Sequence, residues 1–306
     1  MSWSKSQAQI TINLLEQIMI KNLIKSIFLK INPTFKKVCH IEALLEAAPK
    51  QEQFSDIVII DKDMYSTRHA CYDFENVERT ITKGESVLFI DIGANTGQSA
   101  RLAYKFFSDV QVLSYEPLMS CLPSLMAVKT LYSNFEYFNC ALSDNCDGVV
   151  IKEIAGETGL SSSLDISDKY TYFGKSFDAS VKSSYLVQSS TLTEEVKKWD
   201  TYNKAYKILK IDTQGTELSI LRNGEELLKS GYFDVIMIEI LTVEKYKNSF
   251  SCIEMMNFLD NCGFVIYNIS PNYREFEHES VRPDMITYGH TTEFNFTLIH
   301  KKLLAK

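Results

Sequence analysis

Hydrophobic residues recur along this chain with two different periods, and the change from one to the other divides it. Ile10, Ile12, Leu14, Leu15, Ile18, Ile20, Leu23, Ile24, Ile27 and Phe28 form one broad apolar face with lysines between them, and Asn32-Pro33 ends the run. Residues 1–45 therefore read as an N-terminal amphipathic helical segment. Residues 46–84 form a lead-in, with an apolar run at 57–60 that suits a strand and a polar stretch at 73–79. From Ser86 onward the pattern is regular. Apolar runs of strand length fall at 87–90, 110–115, 135–141, 208–211, 235–240, 264–269 and 294–299, and helical stretches at 98–107, 118–131, 217–229 and 251–261. Runs that are apolar throughout suit strands covered on both faces. Their alternation with helices predicts an α/β, doubly wound, mostly parallel sheet over residues 85–306, with helices on both faces. The last run has no helix before it, which predicts an antiparallel strand and seven strands in all.

One connection breaks this rhythm. Residues 145–206 are far longer than an ordinary link between a strand and a helix. They include Gly156-Glu157-Thr158-Gly159-Leu160-Ser161-Ser162-Ser163, rich in small hydroxyl side chains. The segment is expected to fold over the crevice as a substrate cover, the other reading being a disordered surface loop.

Composition narrows the class. The chain has 306 residues, 45% hydrophobic and 23% charged, which is ordinary for a globular protein with a sizeable core. Seven cysteines without a CxxC pair suit reduced, buried thiols, and Cys140 and Cys146 have no soft ligands near them in sequence, so no metal site is expected. No apolar run approaches the roughly 20 residues of a membrane-spanning helix, and the N-terminus lacks a secretory pattern, so the expected location is cytoplasmic. Net charge is −7 but unevenly spread. Residues 1–40 hold six lysines against Glu16 alone, a net of +5, which leaves −12 for the remainder. An acidic body excludes a nucleic-acid partner that would need a basic surface. For the basic arm two readings stand: peripheral contact of residues 10–37 with the inner face of a membrane, or packing on protein, a homodimer interface included.

The chemistry concentrates where strands end. Asp91-Ile92-Gly93-Ala94-Asn95-Thr96-Gly97 follows a buried strand and opens a helix. Gly93, Asn95 and Gly97 are the residue types that adopt positive φ most readily. Glu116 ends the next strand, 19 residues after Gly97, where a carboxylate can accept two hydrogen bonds from a ribose diol. Together they predict a nucleoside ligand at the carboxyl ends of the sheet. A dinucleotide would call for GxGxxG with pyrophosphate on the helix N-terminus, whereas an acidic GxNxG turn suits a ligand without phosphates. Asp144 follows the third strand and is a candidate for the adenine amino group or a simple turn former. Asp212 ends the fourth strand and Glu239 the fifth; both are candidates for acid–base work, with helix capping as the alternative for Asp212 and metal ligation as a further reading of Glu239. Glu217 suits the start of a helix. His290, before the last strand, is a candidate base for a hydroxyl proton.

These segments resemble the FkbM family of methyltransferases: Phe89 to Gly97, Tyr115-Glu116-Pro117, Asn139 to Asp144, Ser190 to Thr193, Leu209-Lys210-Ile211-Asp212-Thr213-Gln214-Gly215-Thr216-Glu217 and Ile238-Glu239-Ile240. The resemblance covers roughly residues 73–300. It implies a class I methyltransferase sheet ordered 3-2-1-4-5-7-6, S-adenosyl-L-methionine as cofactor, and commonly O-methylation of sugars or related secondary metabolites. Asp91, Gly93, Asn95, Gly97, Glu116 and Asp144 would then hold the cofactor, and Asp212, Glu239 and His290 would serve the acceptor, a small molecule or glycan. The family's usual pattern in the fourth-strand segment has Glu where Gln214 stands and Ala where Thr216 stands. The loss of a carboxylate at 214 keeps a second reading open, a non-catalytic nucleoside-binding module of the same fold.

Overall fold

A computed structural model describes residues 68–154, 158–167, 171–172, 175–176, 181–242, 244–271 and 293–304. The amphipathic segment at 10–37, the apolar run at 57–60 and His290 lie outside the described residues.

Seven strands form one sheet: β1 (Val87–Ile92), β2 (Val110–Tyr115), β3 (Phe135–Phe138), β4 (Tyr206–Ile211), β5 (Val235–Leu241), β6 (Phe264–Pro271) and β7 (Glu293–His300). Their order is 3-2-1-4-5-7-6. Strands β1 to β5 pair in parallel, and β7 runs antiparallel to both β5 and β6. The helices are α1 (Arg68–Thr80), α2 (Gln98–Phe106), α3 (Leu122–Leu131), α4 (Leu192–Trp199), α5 (Glu217–Asn223), α6 (Glu225–Lys229) and α7 (Cys252–Asn261).

Alternation along each strand feeds two cores. Leu88, Ile90 and Ile92 of β1 join Leu209, Ile211, Ile236 and Ile238 under α4 to α7, which contribute Leu192, Trp199, Leu221, Leu228 and Leu259. Val87 and Phe89 join Val110, Val112, Ile208, Val235 and Met237 under α1 to α3, which contribute Phe74, Val77, Ala103 and Val128. Hence each central strand is apolar on both faces.

Local chemistry explains where the elements depart from the sequence pattern. The polar stretch at 73–79 belongs to α1: Phe74 and Val77 are buried on the sheet, with Phe74 packed beside Phe89. The run at 135–141 divides after Phe138, because the Asn139 side chain turns back to donate to the carbonyls of Glu116 and Pro117. Ala141–Leu142 then pairs with Ser189–Ser190 instead of extending the main sheet. Residues 118–121 are not part of α3, which starts at Leu122 with Pro123 in its first turn. The helix expected over 217–229 breaks at Gly224, where a Cβ would stand 2.5 Å from Leu192 Cδ2. Within the long connection, Val149–Ile154 and Val181–Val187 form an antiparallel hairpin, and α4 packs its Leu192, Val196 and Trp199 into the core.

Candidate active site

The turn after β1 is folded around three left-handed residues, Gly93 (φ 78°), Asn95 (φ 48°) and Gly97 (φ 83°). At Gly93 the requirement is packing as well as dihedral: a Cβ would lie 1.9 Å from the carbonyl oxygen of Asp212, so the ends of β1 and β4 meet only through a glycine. The backbone N–H of Asn95 donates to Glu116 Oε2 (2.7 Å) and that of Leu118 to Glu116 Oε1 (2.8 Å). Glu116 is 4% exposed, and burial pushes its carboxyl up to about 7 even though these two N–H groups and Lys210 favour the charged form. Across the turn lies the long connection, with Thr158 Oγ1 donating to Asn95 Oδ1 at 3.3 Å.

On the α1–α3 face, the register brings Ser114, Asp91 and Lys210 side by side near the carboxyl ends of β2, β1 and β4. Asp91 is wholly buried, with Ser114 and Lys210 beside its carboxylate. Its counter-ion is Lys210 Nζ at 3.4 Å. That ammonium also donates to the carbonyl of Gly93 (3.1 Å) and lies 3.6 Å from Asp212 Oδ2. Burial works against the charge on Lys210, but Asp91 and Asp212 outweigh it and hold the ammonium above its ordinary range. Burial raises the Asp91 carboxyl, with Lys210 pulling partly back.

Asp212 and Glu239 are joined through a single amide. Gln214 Nε2 donates to Asp212 Oδ1 (2.7 Å) and Glu239 Oε2 (2.8 Å), while its Oε1 accepts from Lys245 Nζ (3.0 Å) and Tyr246 Oη (2.8 Å). The Asp212 side chain is 33% exposed, whereas Lys245 and Tyr246 are buried. Asp212 does not cap α5. Glu217 performs that holding instead, accepting from the N–H groups of Thr213 (2.7 Å) and Gly215 (3.0 Å). Ser162 of the long connection donates to the Gln214 carbonyl (2.8 Å), and the Leu160 carbonyl, 3.0 Å from Tyr246 Oη, is a second acceptor for the single phenol proton that Gln214 Oε1 faces.

The structure thus gathers Asp91, Gly93, Asn95, Gly97, Glu116, Asp212 and Glu239 at one end of the sheet. Asp144 is exposed in a turn, accepting from Ser143 and Asn145, and its carbonyl faces Asn223 of α5. Lys210, Lys245 and Tyr246 are members that sequence patterns did not single out, whereas Thr158 and Ser162 belong to the hydroxyl-rich stretch at 156–163. A lysine inside the apolar run Tyr206–Ile211 was the available signal for the first of them. No cluster of three or more metal-ligating side chains occurs among the described residues.

The profile of the methyltransferase FkbM domain matches residues 91–266, more than half of the chain. The chain belongs to the methyltransferase FkbM domain family. Among solved structures, it is similar to a methyltransferase FkbM from Methylobacillus flagellatus at 16% identity and a TM-score of 0.42. That match covers 71% of this chain but only 44% of the other, so this chain spans under half the length of that relative. It is also similar to a precorrin-6y C5,15-methyltransferase from Geobacter metallireducens (9% identity, TM-score 0.39, 76% and 87% of the two chains). A third is a putative S-adenosylmethionine-dependent methyltransferase from Listeria monocytogenes (9%, 0.40, 76% and 97%). Among curated proteins, none matches.

Methyltransferases of this kind take their methyl group from S-adenosylmethionine, and the site's residues fit that donor. The ligand carries a sulfonium and an ammonium and has no phosphate. Asp91, Glu116, Asp212 and Glu239 collect near Lys210 at this end of the sheet, an acidic surround that suits the two cations. Asp91 has no exposed surface of its own, and Lys210, its counter-ion, holds the Gly93 carbonyl at the turn.

Proposed function

We propose that this methyltransferase methylates a hydroxyl oxygen on a small molecule or glycan. When bound, S-adenosylmethionine supplies an electrophilic methyl group on sulfur. The turn from Gly93 to Gly97 would hold the methionine end, with Lys210 available to its carboxylate, and Glu116 would accept from the ribose diol through the lone pairs its backbone bonds leave over. Asp144 lies beyond β3, where the adenine amino group would reach. An acceptor oxygen would displace that methyl group from sulfur, the electron pair of the old bond leaving on sulfur. The hydroxyl proton passes to the Asp212 and Glu239 carboxylates, with His290 a further candidate to receive it. Alignment of oxygen, methyl and sulfur supplies most of the rate advantage, and the carboxylates matter because an alcohol is a poor nucleophile while it keeps its proton.

The observation that carries this reading is the pair itself: two carboxylates from neighbouring strand ends, held within 2.7 and 2.8 Å of one amide. An anionic acceptor would meet that charge unfavourably, whereas a neutral hydroxyl can donate to it. The long connection, resting on Asn95 and on the Gln214 carbonyl, is the natural cover for the acceptor. No described helix is long and apolar enough to cross a membrane. If residues 10–37 bind anionic vesicles at low salt, lipid-linked glycans become the acceptors to try first; protein that stays in the supernatant removes that class.

The test has two arms. Calorimetric titration with S-adenosylhomocysteine, with NAD as control, should show binding that Glu116→Ala abolishes. Transfer of labelled methyl from S-adenosylmethionine across sugars and other polyols should then find a hydroxyl acceptor. Binding without turnover on any acceptor would instead favour the non-catalytic module, for which Gln214 in a position the family usually gives to Glu is the specific support. Preference for NAD would overturn both.

A further inference from the structure

We propose that Asn295, oriented by Asp73, is an acceptor-binding residue that reads a second hydroxyl beside the one methylated, so that the acceptor is a diol or polyol. This rests on the hydroxyl-methylation reading above. Strand register gives the placement. Asn295 of β7 is the antiparallel partner of Glu239 on β5, and Ser270 of β6 is in turn the partner of Asn295. Side chains directly opposite one another share a face of the sheet, with Cβ atoms about 5 Å apart. Alternation from Met237 and Ile299, both in the core under α1 to α3, puts Glu239 and Asn295 on that face. On the other side of Glu239 comes Asp212, which follows Ile211, the partner of Ile238. Asp212, Glu239, Asn295 and Ser270 thus form one row across the carboxyl end of the sheet, and the row runs on past the two carboxylates.

Asp73 of α1 fixes the direction of the Asn295 amide. Asn295 Nδ2 donates to Asp73 Oδ2 (3.3 Å), while the Ser270 hydroxyl and Asn268 Nδ2 (3.4 Å) donate to Asp73 Oδ1. With its NH2 group turned to Asp73, the amide points its carbonyl oxygen the opposite way. Asn295 is only half-buried, and that oxygen makes no hydrogen bond among the described residues. It can accept from a hydroxyl, and an acceptor with hydrogen in place of that hydroxyl leaves it without a donor. Docking of α1 does not call for these groups, because Phe74 and Val77 already bury apolar surface on the sheet. A carboxylate buried beside them is costly to place, and Asn is a residue type depleted in strands. Asp73, Asn268, Ser270 and Asn295 all lie outside residues 91–266, so the match to the family assigns none of them a role.

The experiment uses the full chain and follows transfer of labelled methyl from S-adenosylmethionine to methyl glucoside, methyl mannoside, methyl galactoside and inositol. Each is paired with its monodeoxy analogues, and NMR locates the new methoxy group. In wild type, loss of the hydroxyl next to the methylated one should lower kcat/KM roughly tenfold or more, since the Asn295 carbonyl loses its donor. Asn295→Leu should bring parent and deoxy analogue within about twofold of each other, chiefly by raising KM for the parent. Affinity for S-adenosylhomocysteine should stay at the wild-type value. Asp73→Asn, of the same shape, should narrow the ratio part-way, and it decides the matter where Asn295→Leu does not fold. A cluster that only pins α1 to the sheet would slow parent and analogue alike; a wild-type ratio in the variants therefore overturns the proposal. Equal rates for parent and every analogue in wild type overturn it too, with hydroxyl methylation left standing. Transfer to no hydroxyl in the panel sinks both readings together.

Discussion

Two glycines show how differently one residue type is constrained in this chain. Gly84 and Gly93 both have positive φ, 86° and 78°, but a Cβ on Gly84 meets nothing within 4 Å. Gly84→Ala should cost only the left-handed penalty, about 1–2 kcal/mol in urea unfolding. Gly93→Ala adds an overlap at 1.9 Å with the Asp212 carbonyl and should cost on the order of 4 kcal/mol or more, taking S-adenosylhomocysteine binding with it. Equal, small losses at both sites would mean that the ends of β1 and β4 are not locked together. Glu116 gives a pH signature. Its carboxyl ordinarily titrates at 4.5 and stands at about 7 here, so the folded state holds a proton that the unfolded state has released. The associated stability is complete below about 4.5 and is lost as pH rises through about 7. Thermal unfolding of ligand-free protein should therefore move to lower temperature between pH 5 and 8, with Glu116→Gln flattening the trend. Binding through a charged Glu116 should run the opposite way, tightening for S-adenosylhomocysteine as pH rises past 7. The type and place of Glu116 were legible from its spacing to the glycine turn. Its burial and its two backbone donors were not, because they depend on how β2 meets that turn.

Among the elements, the central strands were the most legible, since β1, β2, β4 and β5 are apolar on both faces and short enough to exclude helix. The misread ones failed for local reasons. α1 looks polar in sequence because Phe74 and Val77 are buried apolar side chains among many charges, and Asp73 and Asn76 are buried beside them. β3 ends early because Asn139 finds acceptors across the turn. α4 was hidden inside an apparently irregular connection, although it carries the fully buried Trp199. That helix is tied to β2 by a buried network. Trp199 Nε1 donates to Tyr115 Oη (2.8 Å), which donates to Glu195 Oε2 (2.8 Å), and Ser190 and Lys198 complete the carboxylate's partners. Tyr115→Phe would leave the indole N–H unmatched and remove one donor from Glu195. The expected loss is about 1–3 kcal/mol of stability with S-adenosylhomocysteine affinity unchanged. A fall in affinity without a fall in stability would instead make this network part of the ligand site.

At the scale of the whole molecule, the site is assembled from segments far apart in sequence, and that distance set what could be foreseen. Residues within one strand-to-helix turn, such as Asp91 to Gly97, announce themselves by type and spacing. Gln214 was visible only as a departure from a pattern. Its bonds to Glu239, Lys245 and Tyr246 and to Ser162 span separations of 25 to 52 residues, which no periodicity records. The same holds for the long connection, whose length was plain but whose resting place was not. It meets the cofactor turn through Thr158 and the β4 end through Ser162. Ser162 is buried, and its hydroxyl both donates to the Gln214 carbonyl and accepts from the Leu164 N–H (3.1 Å). Removing it leaves two backbone groups without that partner and loosens the cover while the two cores stay intact. Ser162→Ala should therefore speed thermolysin cleavage within residues 145–191, with little change in the unfolding midpoint of the sheet domain. S-adenosylhomocysteine should slow cleavage of wild type in that interval and protect Ser162→Ala less. Cleavage of wild type at one rate with and without ligand would mean that the segment rests on the site without closing over anything bound there.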